Sequence, residues 1–172
     1  FQKHGVGLLF THRCARSLQF IGLNPVLLLW SVMKIYNDNE LSQILRGLIE
    51  KFEDETVEFK KAKNNLDFNG IGQYFSALSN EANLRGRSEG WLIFGITNER
   101  EVVGTEYRLT NLQNLKKEIA EHTNERLTFR EIYDLRYEGK RIIMFQIPPS
   151  LRGVPTMWNG AAYAREHELL TS

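Results

Sequence analysis

The alternation of apolar and polar positions divides the chain into segments from residue 33 onward. Asn37-Asp38-Asn39-Glu40 reads as a helix start, with Asn37 as cap and Glu40 reaching back to it. Leu41, Ile44, Leu45, Leu48 and Ile49 then recur at helical spacing, predicting an amphipathic helix to about Phe52. Glu53-Asp54-Glu55-Thr56-Val57-Glu58-Phe59-Lys60 follows as a short β-prone run. As a strand it places Thr56, Glu58 and Lys60 on one face and Val57 and Phe59 on the other. Phe68 to about Leu84 is a second helix, with Ile71, Phe75, Leu78 and Ala82 on one side. Uncharged Gln73, Ser76, Asn80 and Asn83 lie on the other.

Trp91–Ile96 is apolar throughout and predicts a strand buried on both faces. Val102-Val103-Gly104 reads as a short returning strand. Thr110, with Gln113 three residues on, signals a third helix whose stripe is Leu112, Leu115 and Ile119. Phe129–Tyr137 and Arg141–Ile147 form a hairpin across Glu138-Gly139, ended by Pro148-Pro149. Thr156–Trp158 and Ala161–Arg165 form another across Asn159-Gly160. The sum is an α+β single domain, a mixed β-sheet with about three helices and six or seven strands, without internal repeats.

Phe1–Val32 lacks this periodicity. Its basic residues ahead of Val26–Trp30 resemble a secretory signal, but no small-residue cleavage site follows. The apolar run is also too short for a membrane span, which needs about 20 residues. The expectation is that residues 1–32 are a non-native or disordered leader, poorly packed, and that the domain occupies 33–172.

Composition changes little in this picture. The 172 residues are 42% hydrophobic and 25% charged, which suits one globular domain. The net charge of +1 hides an asymmetry: three of 22 basic side chains and none of the 21 acidic ones lie in residues 1–32. The remainder therefore holds 19 basic against 21 acidic, so a nucleic-acid contact there needs a local patch. The single Cys14 excludes an intrachain disulfide and a cysteine zinc site, consistent with a reducing cytosol.

The acidic strand suits a metal site, a phosphate site or a solvated edge. Gly70-Ile71-Gly72 precedes a helix as in a dinucleotide loop, but Phe75 stands where the third glycine belongs, and no P-loop is present. His122 and His167 have no partner at metal-ligand spacing. Trp91, Trp158 and Tyr163 are aromatics able to stack on bases, although strand spacing more often means core.

Four blocks together resemble the Schlafen AlbA-type domain, often described as DNA-binding. They are Glu53–Lys60, Tyr74–Asn83, Gly90–Ile96 with Val103-Gly104, and Tyr163-Ala164-Arg165. The resemblance implies a nucleic-acid-binding module, for DNA or RNA, of a cytoplasmic bacterial transcriptional regulator or ATP-dependent protein. It implies further ATPase and winged-helix domains, no membrane association and no catalysis by this domain alone, with homo-oligomerisation open. The contacts it suggests are Lys60, Lys61, Lys63, Arg85, Arg87 and Arg165.

The alternative is the Schlafen-type endoribonuclease, in which two glutamates and an aspartate hold a divalent metal, Mg or Mn. Glu53 and Glu58 fall on the glutamate positions, with Lys60 able to steady developing charge. Thr97-Asn98 stands where the aspartate belongs; Glu99 or Glu55 would have to substitute, and neither sits at the family position. A second alternative is a protein-interaction domain that positions an ATPase.

Overall fold

The computed structural model describes residues 34–51, 54–63, 67–107, 112–166 and 169–171. The expectations for residues 1–32, Glu53, Thr110 and His167 lie outside these. All elements below belong to the unit Ile35–Ser172.

Helix α1, Asp38–Glu50, starts in a full capping box between Asn37 and Glu40, as its sequence predicts. Strand β1 is Val57–Lys60, and helix α2 is Phe68–Leu84, capped by the Asp67 side chain on Gly70 N. Strand β2, Gly90–Phe94, is buried along its whole length. Helix α3, Leu112–His122, is followed by a 3-10 turn at Asn124–Arg126. Strands β3, Glu131–Tyr137, and β4, Lys140–Ile147, turn on Glu138 and Gly139, both with positive φ, as a primed hairpin turn requires.

These strands make one mixed sheet in the order β1-β2-β4-β3, with β1 parallel to β2 and the other pairs antiparallel. Side chains alternate across it. Leu92, Phe94, Ile143 and Phe145 pack against Ile71, Phe75 and Leu78 of α2 and Ile119 of α3. Trp91, Ile93, Ile142 and Met144 pack with Val57 and Phe59 against Leu41 and Leu45 of α1. Helices therefore cover both faces, which is why β2 carries no polar side chain. Because Val57 and Phe59 face α1, Glu58 and Lys60 must face α2.

The C-terminal part departs from the single hairpin expected there. Four short strands, β5 Met157–Trp158, β6 Ala161–Ala162, β7 Ala164–Glu166 and β8 Leu169–Thr171, pair as β5-β6 and β7-β8. The expected strand 161–165 breaks at Tyr163 because side chains of α2 take its backbone: Tyr163 N donates to Ser76 Oγ at 3.1 Å, and its carbonyl accepts from Asn80 Nδ2 at 2.9 Å. Eight strands result among the described residues. Trp91 and Trp158 are core residues, 4% and 1% exposed, so neither is a stacking platform.

Trp158 also explains Gly72. A Cβ on Gly72 would lie 2.1 Å from Trp158 Cε2, so the helix must be bare where the indole crosses it. The indole is fixed there by its own N–H, which donates to Asn69 Oδ1 at 2.7 Å. We therefore expect Gly72→Ala to lower stability by about 1–3 kcal/mol through overpacking, read as a reduced urea midpoint. An unchanged midpoint would show that the indole is not seated on Gly72.

Candidate functional site

The site is assembled around one buried carboxylate. Glu58 lies at the middle of β1 and is 5% exposed. Its Oε1 meets Lys60 Nζ at 2.6 Å and its Oε2 meets Arg165 Nη2 at 2.6 Å. Lys60 stands two residues along the same strand face, and its ammonium lies 4.9 Å from the centroid of the Tyr74 ring on α2. Burial alone would lower the lysine pKa. Hydrogen bonds with Glu58 and Tyr74 outweigh that and hold it above the ordinary lysine value.

Arg165 arrives from β7 with only 7% of its side chain exposed. Besides Glu58 it donates from Nη1 to the Val57 carbonyl at 2.6 Å and, more loosely, to the Glu55 carbonyl at 3.4 Å. Val57 O points away from β2, whose Trp91 N bonds Thr56 O instead. The guanidinium thus satisfies part of the exposed edge of β1 while it neutralises the carboxylate on that strand.

The pairing continues outward. Arg165 N donates to Glu81 Oε1 at 3.5 Å, and Glu81 Oε2 lies 3.4 Å from Arg85 Nε. Arg85 also pairs with Glu55. Three acids and three bases therefore form one charge-balanced chain. Next to it, Asp54 accepts from the backbone N–H and hydroxyl of Thr56, and Arg87 Nη2 lies 3.7 Å from Asp54 Oδ2. Burial pushes the Asp54 pKa up, but the Thr56 hydrogen bonds and the Arg87 charge bring it below the usual carboxylate value.

Helix α2 positions Arg165 through its uncharged polar row. Ser76 Oγ donates to Thr156 O at 2.7 Å, and Asn80 Nδ2 donates to the same carbonyl at 3.0 Å. Asn80 Oδ1 accepts from Thr156 N at 2.7 Å, and Ser79 shares a hydroxyl hydrogen bond with Thr156 at 2.9 Å. With the Tyr163 contacts, this clamps the segment that leads into β7. The serine–alanine–asparagine pattern of α2 is thus a device for docking the C-terminal strands.

The remaining sequence candidates are dispersed around this network. Lys61 and Lys63 are exposed, on either side of buried Ala62, without an ion pair among the described residues. Thr97, at the position of the expected aspartate, is 2% exposed and closes a turn: its N–H donates to Glu101 O and its hydroxyl accepts from Glu101 N. Glu99 is exposed, and its carboxylate is held by hydrogen bonds to its own backbone and to the Thr97 hydroxyl. No group of three His, Cys, Asp or Glu residues converges on a metal position among the described residues. Each Glu58 oxygen faces a protein cation, so a divalent ion there would have to compete with Lys60 and Arg165. Glu55, Tyr74 and Glu81 are participants that sequence reasoning assigned no such part. Glu81 had a signal: it is the only charged residue in the 17 residues of α2.

These features define a class: an α+β domain whose edge strand carries a buried glutamate clasped by a lysine of that strand and an arginine from the C-terminal strands. Residues 53–169 match the family described as Schlafen, AlbA_2, and the chain belongs to that family. No curated protein matches it. Among solved structures, the chain is similar to the DIP2311 protein of Corynebacterium diphtheriae, at 15% identity and a TM-score of 0.50 over 77% of this chain. The match covers 26% of the DIP2311 chain, so this sequence spans about a quarter of that protein's length. The N-terminal domain of a RecG-related protein from Nitrosomonas europaea is also similar, at 16% identity and a TM-score of 0.46, over 76% of this chain and 89% of that one.

Two outcomes test the network. Arg165→Met strands a buried carboxylate and should cost about 3–5 kcal/mol, whereas Glu58→Met with Arg165→Met should recover most of that loss. Equal destabilisation by the single and double variants would deny the pairing.

The second outcome is the shape of the pH–stability curve. The Lys60 contribution is fully present below the ordinary lysine pKa and is lost as pH rises through the raised one. The Asp54 contribution is present above the ordinary aspartate pKa and is lost as pH falls through the lowered one. Denaturant titrations of Lys60→Met should show a weaker alkaline loss than the parent chain. An unaltered alkaline limb would contradict the Lys60 assignment.

Proposed function

We propose that this domain is a nucleic-acid-binding module that does not cleave by itself. The observation that carries this reading is the state of Glu58. Both oxygens are held by Lys60 and Arg165, while Lys61 and Lys63 stand on the surface directly after the same strand. Family membership supports it, because a Schlafen AlbA-type domain is often described as DNA-binding. On this reading Glu58, Lys60 and Arg165 shape the surface, and Lys61 and Lys63 meet phosphates, joined by Arg87 when its 3.7 Å contact with Asp54 opens. Cleavage with Mg or Mn would require Glu58 to leave both cations.

The domain would serve as one part of a longer cytoplasmic regulator bearing ATPase and winged-helix domains. Among the described residues no helix is long and apolar enough to cross a membrane.

The test is a salt titration of binding to structured RNA and to duplex DNA. Affinity should fall as salt rises, and Lys61→Ala and Lys63→Ala should each reduce the logarithmic slope by about 1. Affinity that ignores salt, or slopes unchanged by both substitutions, would refute the phosphate contacts.

A further inference from the structure

The turn that carries Lys61 and Lys63 is bent in a way that its residue types resist. Between the two lysines, Ala62 has a φ of 44°, in the left-handed region that an L-residue seldom enters. Such a backbone persists only where its surroundings hold it, and an observed case is a reason to ask what the bend serves. Two groups hold this one. The Ala62 methyl is buried, with the residue 4% exposed, in the same core as Ile71, Phe75 and Phe94. The Ala62 carbonyl accepts from Thr105 Oγ1 at 2.7 Å, from a residue 43 positions later.

Thr105 is 6% exposed and uses its hydroxyl twice, donating to Ala62 O and accepting from Tyr107 N at 3.1 Å. Its own N–H donates to Arg141 O, at the start of β4, at 2.9 Å. Arg141 in turn donates from Nη1 to Tyr107 O at 2.6 Å and pairs with Asp134 of β3 at 2.6 Å. Ahead of the turn, Lys60 O accepts from Gly95 N, just after β2, at 2.8 Å. The two lysines therefore leave the surface from either side of one residue that is tied to the ends of β2 and β4.

Such anchoring has a use in binding. A lysine that meets a phosphate gives up rotamer freedom, and a mobile backbone beneath it would have to be ordered as well. A turn fixed in advance leaves only the side chains to order.

We propose that Thr105 is a positioning residue whose hydroxyl, acting through Ala62, holds Lys61 and Lys63 in place for neighbouring phosphates of a nucleic-acid backbone. This role rests on the nucleic-acid reading above and belongs to a buried residue that meets no phosphate itself.

Salt titrations of duplex DNA and structured RNA binding by the full chain test it, with Thr105→Val, Thr105→Ser and Ala62→Val. Valine keeps the shape of threonine without the hydroxyl, and serine keeps the hydroxyl. Thr105→Val should reduce the logarithmic salt slope by about 1–2, the share of two phosphate contacts, while Thr105→Ser keeps the parent slope. Added to Lys61→Ala with Lys63→Ala, Thr105→Val should lower the slope no further, a non-additivity that a purely structural role would not give. If Thr105→Val does not fold, Ala62→Val decides. A β-branched side chain is disfavoured at this φ, so the slope should fall by the same amount.

A parent slope in Thr105→Val or in Ala62→Val, or an additive triple variant, overturns the positioning role and leaves the phosphate contacts of Lys61 and Lys63 standing. An equal loss in Thr105→Ser and Thr105→Val also overturns it, because the hydroxyl would then not be the cause. If the parent chain binds neither nucleic acid, both the role and the reading beneath it fall.

Discussion

A carboxylate withdrawn from water is tolerable only if other groups replace its hydration, and in this domain that requirement falls on Glu58. Its strand must turn Val57 and Phe59 toward α1, so Glu58 faces α2 with little access to solvent. The nearest cation, Lys60, satisfies one oxygen from within the strand. The other oxygen is met by a residue 107 positions later, Arg165. This long-range pairing ties the first strand to the last third of the chain. It gives the polar row of α2 its purpose, because Ser76, Ser79 and Asn80 hold Thr156 and Tyr163 in the places that bring Arg165 home. A buried pair of this kind is weak as a source of net stability. It is costly to break from one side, and so acts as a constraint on arrangement.

The same constraint bears on chemistry. Each Glu58 oxygen is directed at a protein cation, and no group of three His, Cys, Asp or Glu residues converges there among the described residues. Thr97 lends no carboxylate, and its hydroxyl and backbone are engaged in a turn. The domain belongs to its family by sequence, and Glu58 serves within it as an internal strut between β1 and β7. On the proposed reading, phosphate contacts then fall to the exposed cations Lys61 and Lys63 beyond the strut.

Much of the fold was legible in the sequence because it follows from local rules. The Asn37 capping box, the bounds of α2, the fully apolar β2 and the Glu138-Gly139 turn each depend on residues within a few positions of one another. The break at Tyr163 was not legible, because its cause is a pair of side chains about 80 residues away on another element. Gly72 shows the same limit. In sequence it belongs to an incomplete dinucleotide-loop pattern that Phe75 breaks, and only the position of Trp158 explains it. For the site, the periodicity of β1 correctly placed Glu58 and Lys60 on one face. It could not show that Arg165, read as a surface cation, is enclosed beside them. Charge content alone does not distinguish a solvated arginine from one that closes a buried ion chain; the clue was the solitary Glu81 in an otherwise uncharged helix.

On the proposed reading Glu58 is occupied by Lys60 and Arg165 and is not a metal ligand. Calorimetric titration of Mn²⁺ into the parent chain and into Glu58→Gln examines it most directly. The two titrations should coincide, with no component of binding that depends on Glu58. A stoichiometric Mn²⁺ site present in the parent and absent from Glu58→Gln would contradict it.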